Sequence, residues 1–370
     1  MVYSIVLIVF AEPDPNFHIY LLFGQSNMAG ACNGWTATAE ALDYKASDCD
    51  TTSRIKLMAF TNCSSVKSNP CGSFTLNRKH NQWYTAVPPY HNCNEGVGPG
   101  DYFGKTLLDS IRDDIRIGFI PCALSGQSIT MFKKGQMSQV PDWCNEYLSQ
   151  QGTVSVYNWM KEKCQIAQQS GVIKGILFHQ GESDASNPNN WIMDVKSVFD
   201  NLKKDLSLND SIPIIVGELL YAAAGGTCAS MNPKVNQLAS EYPRCKVASA
   251  EGLAMLQGDS YKVHFGCKAL REFGFRYAKA YLSLADNNWV PRKGTVKTCS
   301  TSYSRSSLRM IVSEKTQKEV TVFTLNGTIV NKSLASSYKK ALYGIHSKGV
   351  YIVRCRFSDG STEIVPFIKN

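Results

Sequence analysis

The sequence predicts an α/β fold, a parallel sheet with helices on both faces, followed by a small all-β unit. Two observations carry this. From residue 17 to about 285, short apolar runs alternate with segments of 3.6-residue apolar periodicity. Beyond Trp289-Val290-Pro291-Arg292-Lys293-Gly294, a linker-like stretch, the pattern turns β-rich. A chain of 370 residues is long enough for two such units.

The predicted strands of the first unit are His18–Phe23, Ile115–Ile120, Ile173–Phe178, Ile212–Val216 and Lys246–Ser249. Three apolar stripes predict helices: Phe103, Leu107, Leu108 and Ile111; Trp191, Val195, Val198, Leu202 and Leu206; and Leu270, Phe273, Tyr277, Ala278 and Tyr281. Residues 32–97 break the alternation. They are rich in Asn, Ser and Thr and hold five of the 13 cysteines, which reads as a disulfide-braced insertion. Its Trp35, Trp83, Tyr84 and Tyr90 fit either stacking on sugar rings or ordinary packing. In the second unit, residues 296–370, strands are expected at Leu308–Val312, Glu319–Leu325, Gly349–Phe357 and Glu363–Ile368. Asn326-Gly327 and Asp359-Gly360 are hairpin-turn pairs.

Composition narrows the function classes. Hydrophobic residues make up 44% and charged residues 19%, as in an ordinary globular protein. The net charge of +9 is spread along the chain, with no basic run to mark a nucleic-acid surface. No cysteine pair has CxxC spacing and no Cys/His cluster has zinc-ligand spacing, so a structural zinc is not expected, and the sequence calls for no cofactor. So many cysteines favour disulfides in an oxidising compartment, and the odd total leaves at least one unpaired or intermolecular. The apolar run Ser4–Ala11, too short to span a bilayer, reads as the tail of a signal peptide or as a buried first strand. Residues 1–16 are therefore taken as leader and lead-in, 17–288 as the main domain, and the protein as secreted or cell-surface.

The sharpest chemical signal is Phe23-Gly24-Gln25-Ser26-Asn27-Met28-Ala29-Gly30. A serine on the turn out of a parallel strand sits where open α/β sheets bind ligands. There it can act as a nucleophile beside backbone N–H groups, or simply cap the next helix. Of six histidines, His264 lies in a loop just ahead of the last helix of the domain, where a base could meet Ser26. His179, in Phe178-His179-Gln180-Gly181-Glu182-Ser183-Asp184, ends another strand. Together these suggest one shared crevice.

The run GQSNMAG, Gly126 in Ala123-Leu124-Ser125-Gly126-Gln127-Ser128, then HQGES, then a late histidine before an amphipathic helix, resembles the SGNH-hydrolase superfamily. Within it the chain is most similar to carbohydrate esterase family 6, the acetyl xylan esterases, and to the related sialate O-acetylesterases. The likeness spans about residues 17–285 in the same motif order. It implies a flavodoxin-like three-layer α/β/α sandwich, no metal, an acyl-enzyme mechanism and an acetylated polysaccharide or oligosaccharide as substrate.

Carried over residue by residue, the resemblance makes Ser26 the nucleophile and His264 the base. Its oxyanion donors are the backbone N–H groups of Ser26 and Gly126 and the side-chain amide of Gln180; Gln25 and Asn27 are candidate substrate contacts. Where many superfamily members place Asp, three residues before the histidine, this chain has Tyr261; Asp259 lies five before. Glu182 is therefore the expected acid and Asp259 its rival. The C-terminal unit resembles the sorting domains of bacterial outer-membrane secretion, through Val320–Gly327 and Gly349–Val353, which would make secretion machinery a partner. A small carbohydrate-binding or packing domain is the alternative.

Overall fold

The computed structural model describes residues 12–33, 45–63, 77–137 and 140–284, and four strands beyond residue 316. The apolar run Ser4–Ala11, Trp35, the linker and the strand expected at Leu308–Val312 lie outside the described residues. The chain divides into two compact units, Met1–Trp289 and Val290–Asn370.

In the first unit the strands are β1 (Asp14–Gly24), β2 (Ile55–Met58), β3 (Trp83–Thr85), β4 (Arg116–Ala123), β5 (Gly171–His179), β6 (Ile214–Gly217) and β7 (Cys245–Ala248). The helices are α1 (Ser26–Ala29), α2 (Pro99–Leu108), α3 (Asp142–Ser149), α4 (Val156–Gln168), α5 (Trp191–Asp205), α6 (Asn232–Glu241) and α7 (Cys267–Leu284). The sheet runs β3-β2-β4-β1-β5-β6-β7, with every pair parallel except β2–β3. Its five strands β4-β1-β5-β6-β7 have the 2-1-3-4-5 order of a doubly wound sheet, whose switch point lies between β1 and β5.

Alternation along β1 shows why both faces must be covered. Phe17, Ile19, Leu21 and Phe23 enter a core shared with α3 to α6, while Tyr20 and Leu22 face a second core shared with α2 and α7. The α5 stripe from Trp191 to Leu206 and the α7 stripe from Leu270 to Tyr281 are buried in these two cores.

The structure revises two boundaries. β1 begins at Asp14, which pairs with Gly171, so residues 14–16 belong to the sheet and not to a lead-in. The 32–97 insertion is also more than a stapled loop, since it supplies β2 and β3 to the sheet edge. It is tied down at several points. A disulfide joins Cys63 to Cys93, and Cys49 is disulfide-bonded as well. Asp48 accepts from Arg271 of α7 at 2.6 and 2.8 Å. The ammonium of Lys163 on α4, fully buried and pulled down to about 8 by that burial, donates to Ala59 and Asn81.

In the second unit the described strands are β8 (Gln317–Thr324), β9 (Ile329–Leu334), β10 (Gly349–Phe357) and β11 (Thr362–Lys369). They form an antiparallel sheet of order β11-β10-β8-β9, to which β9 was not anticipated.

Candidate active site

Three loops leave the sheet at one level, because Gly24 at the end of β1 is in register with Ala123 of β4 and His179 of β5. Gly24 is required there: its φ is +131°, and a Cβ would stand 1.9 Å from the His179 carbonyl oxygen. The backbone turns directly into α1, so Ser26 is the first helical residue and its N–H has no acceptor in its own helix. Gly30 closes α1 in the left-handed conformation.

The loop before α7 brings His264 to this serine. His264 Nε2 lies 3.0 Å from Ser26 Oγ, and His264 Nδ1 lies 3.1 Å from Asp259 Oδ1. Asp259 also shapes the loop that carries the histidine: its Oδ2 accepts the N–H groups of Val263 and His264, both at 2.8 Å, and its Oδ1 that of Tyr261. Burial pushes the Asp259 carboxyl upward, but these N–H bonds and the His264 ring outweigh it and hold the group below its ordinary value. Five residues of separation are therefore bridged by a tight carboxylate-centred turn.

The expectation that Glu182 orients His264 does not match this geometry. Glu182 Oε1 instead meets His179 Nε2 at 3.0 Å and accepts from Asn27 Nδ2 at 2.6 Å. Its carboxyl is also held below the ordinary value: burial raises it, and the His179 and Asn27 contacts overcome that. Asn27, expected to touch substrate, is 1% exposed and fully engaged. Its amide also donates to the Val263 carbonyl at 3.0 Å, and its Oδ1 accepts from Phe265 N–H at 3.1 Å. It thus grips the backbone on both sides of His264.

Gln180 is likewise committed. Its Oε1 accepts the Trp191 indole N–H at 2.6 Å, which fixes the amide orientation because an indole only donates. Its NH₂ then faces Gln25 Oε1, the Gln127 carbonyl and the Asp184 carboxylate, leaving no proton directed at an oxyanion. Gln25, the other expected substrate contact, is buried and also accepts the N–H groups of Gly181 and Ser183. Asp184 accepts the N–H of Ile129 at 3.0 Å, joining the β4 and β5 loops. Gly126 stands in the β4 loop at φ +72°, with open space where a Cβ would project.

The family comparison decides the broad assignment. The description "Carbohydrate esterase, sialic acid-specific acetylesterase" matches residues 16–283. The chain belongs to this carbohydrate esterase family. It is 26% identical over 212 residues to a protein of Arabidopsis thaliana described as a probable carbohydrate esterase, covering 55% of this chain and 72% of that one. A 1.6 Å X-ray structure of an Arabidopsis thaliana protein is similar with a TM-score of 0.53 at 24% identity, over 73% of this chain and 99% of that one; it shares the fold. A carbohydrate acetylesterase from Xanthomonas citri has a TM-score of 0.47 at 14% identity, over 94% of this chain and 78% of that one.

Within this family member the aromatic residues of the insertion lie elsewhere. Trp83 packs edge-on against Phe17 at 4.9 Å and donates to Ser170 Oγ, near the opposite end of the sheet. Phe17 is seven residues from Gly24, about 23 Å along the strand, so Trp83 is not placed to touch an ester at Ser26. Tyr84 is on the same edge strand, where its hydroxyl accepts from Lys79 N–H. Tyr90 is buried against Phe119. A disulfide that spacing gave no means of pairing, Cys32–Cys267, links the residues after α1 to the first residue of α7. No group of three or more His, Cys, Asp and Glu placed to hold a metal occurs among the described residues. No described helix is long and apolar enough to cross a membrane.

Proposed function

We propose that the chain is a serine acetylesterase that removes O-acetyl groups from carbohydrate, with acetylated plant polysaccharide, xylan in the first place, as substrate. The observation that carries this is the continuous contact Ser26–His264–Asp259 at the switch point of the sheet, in a chain of a carbohydrate esterase family.

Those distances support the following reaction. Ser26 Oγ attacks the acetyl carbonyl carbon while His264 Nε2 takes its proton. Asp259 holds the imidazole tautomer through Nδ1–H and offsets the charge of the imidazolium that forms. The negative oxygen of the tetrahedral intermediate is met by the N–H groups of Ser26 and Gly126, neutral donors that do not compete as bases. Collapse breaks the bond to the sugar oxygen, which takes the proton from His264 and leaves as a hydroxyl. Water, deprotonated by the same imidazole, then attacks the acetyl carbon, and the imidazolium returns that proton to Ser26 Oγ as acetate leaves. Gln180 frames this hole through the β4 and β5 loops, and Glu182 acts on the base only through Asn27.

The disulfides support an extracellular or cell-surface location. We carry Val290–Asn370 as an accessory unit for secretion sorting or carbohydrate attachment. The family description favours O-acetylated sialic acid as the second substrate. Acetate release from acetylated xylan and from O-acetylated sialic acid, by the wild type and by Ser26→Ala, tests the reading. Release from xylan, lost with the serine, is expected. Release from sialic acid alone would move the substrate, and polysaccharide binding without any release would make the chain a binding protein.

A further inference from the structure

Next to the buried Ser26 and His264 stands a strongly exposed aromatic side chain. Tyr261 is 69% exposed, more than the other exposed aromatics among the described residues, Trp143 and Phe275. Trp143 packs against Tyr147, and the Phe275 ring is covered by the Lys279 ammonium. The ring neighbour of Tyr261 is the imidazole of His264, at 6.1 Å and nearly perpendicular.

The backbone beneath this ring is fixed from both sides. Asp259 Oδ1 accepts the Tyr261 N–H from within the loop. From outside, Thr227 N–H donates to the Lys262 carbonyl at 3.0 Å, and its hydroxyl lies within 3.4 Å of the Tyr261 and Lys262 carbonyls. Lys262, at φ +55°, turns the chain between the exposed ring and the base. An exposed tyrosine on a free loop needs no explanation. One held rigidly beside a base provides a large amphipathic contact surface at low entropic cost.

We propose that Tyr261 is the stacking platform for the sugar ring that carries the acetyl group. The C–H face of a pyranose is apolar and packs on the phenol ring, while the phenol hydroxyl reaches a ring hydroxyl. With the sugar seated there, the ester points inward to Ser26. The aromatic residues expected to do this, Trp83 and Tyr84, lie away from the site, and Tyr261 takes the role. This rests on the acetylesterase reading above for the identity of the bound group.

The test compares wild type, Tyr261→Phe and Tyr261→Ala in two measurements. The first is kcat and KM on acetylated xylo-oligosaccharide and on O-acetylated sialic acid, set against an aryl acetate that has no sugar. The second is the affinity for the deacetylated saccharide. Tyr261→Ala should raise KM for the saccharide ester about tenfold with little change in kcat. It should lower the ratio of saccharide to aryl acetate efficiency by a similar factor and weaken product binding in parallel. Tyr261→Phe should retain most of both. Equal losses on saccharide ester and aryl acetate, carried in kcat, would show that the ring only braces the His264 loop and would overturn the platform; so would unchanged saccharide kinetics. Saccharide binding that depends on Tyr261 without acetate release would leave the platform standing and defeat the acetylesterase reading. Absence of both binding and release would defeat both.

Discussion

Asp259 Oδ1 lies 3.1 Å from His264 Nδ1, and the other oxygen of the same carboxylate accepts the backbone N–H of that histidine at 2.8 Å. One carboxylate thus both faces the imidazole and folds the loop that delivers it. Replacing it tests the two effects together. Asp259→Asn should lower kcat on an aryl acetate by about 10⁴, the loss seen when a triad carboxylate becomes an amide. Steady-state kinetics with a thermal melt on the same sample separates this from unfolding.

Glu182→Gln should cost rate far less than Asp259→Asn and stability more. The Glu182 side chain is buried between His179 and Asn27. Gln keeps Oε1 as acceptor for both but loses the charge and sets an NH₂ at the buried Oε2 position, which has no partner among the described residues, a cost of about 1–3 kcal/mol. A Glu182→Gln protein that melts like the wild type but has lost activity by several orders of magnitude would return the acid role to Glu182.

Asn27 is predicted to act through the backbone. Asn27→Ala strips partners from Phe265 N–H and Val263 C=O, each costing about 1–3 kcal/mol when left buried and unpaired. Both melting temperature and kcat should fall, with KM for a small ester little changed. Asn27→Asp should be worse at neutral pH, because it places a second carboxylate beside Glu182, and should recover partly on mild acidification.

Much of this arrangement can be read in the sequence, and the part that cannot has a physical cause. The apolar runs and stripes locate β1, β4 to β7, α2, α5 and α7 because burial on two sheet faces imposes those periods. Ser26 and His264 are legible as polar residues at strand and loop ends. The choice of Asp259 over Glu182 as the carboxylate facing His264 is not, because spacing along the chain gives no hint that Asp259 folds its loop back through three N–H bonds. In sequence Gln25 and Asn27 stand as candidate substrate contacts and Gln180 as an oxyanion donor. In the structure they hold three loops together. Trp83 and Tyr84 fail as sugar platforms because the insertion that carries them extends the sheet edge. Tyr261 could have been singled out from its place three residues before His264.

The Cys32–Cys267 disulfide ties the residues after Ser26 to the helix after His264, across 235 residues of sequence. Cys32→Ser with Cys267→Ser should lower stability by about 2–4 kcal/mol. It should lower aryl acetate turnover more than Cys63→Ser with Cys93→Ser, which lies in the insertion. Denaturant melts and initial rates on the two double variants check this; equal effects on turnover would detach the disulfide from the site.

Asp101, in the first turn of α2, is fully buried and raised to about 7, chiefly by that burial. A carboxyl whose folded value exceeds its unfolded one contributes stability below the unfolded value and loses it as pH rises toward the folded one. Asp101→Asn keeps an oxygen for the Gly98 N–H without the charge. Its melting temperature should exceed the wild type's at pH 8, and the difference should shrink toward pH 4.

The most direct test of the account is to quench an aryl acetate reaction with acid and map the acetyl group by peptide mass spectrometry, beside the turnover of Ser26→Ala. The account predicts acetyl on Ser26 in the wild type and a loss of turnover of about 10³ or more in a variant that still folds. An acetyl group on another residue, or Ser26→Ala turning over within about tenfold of wild type, would contradict it.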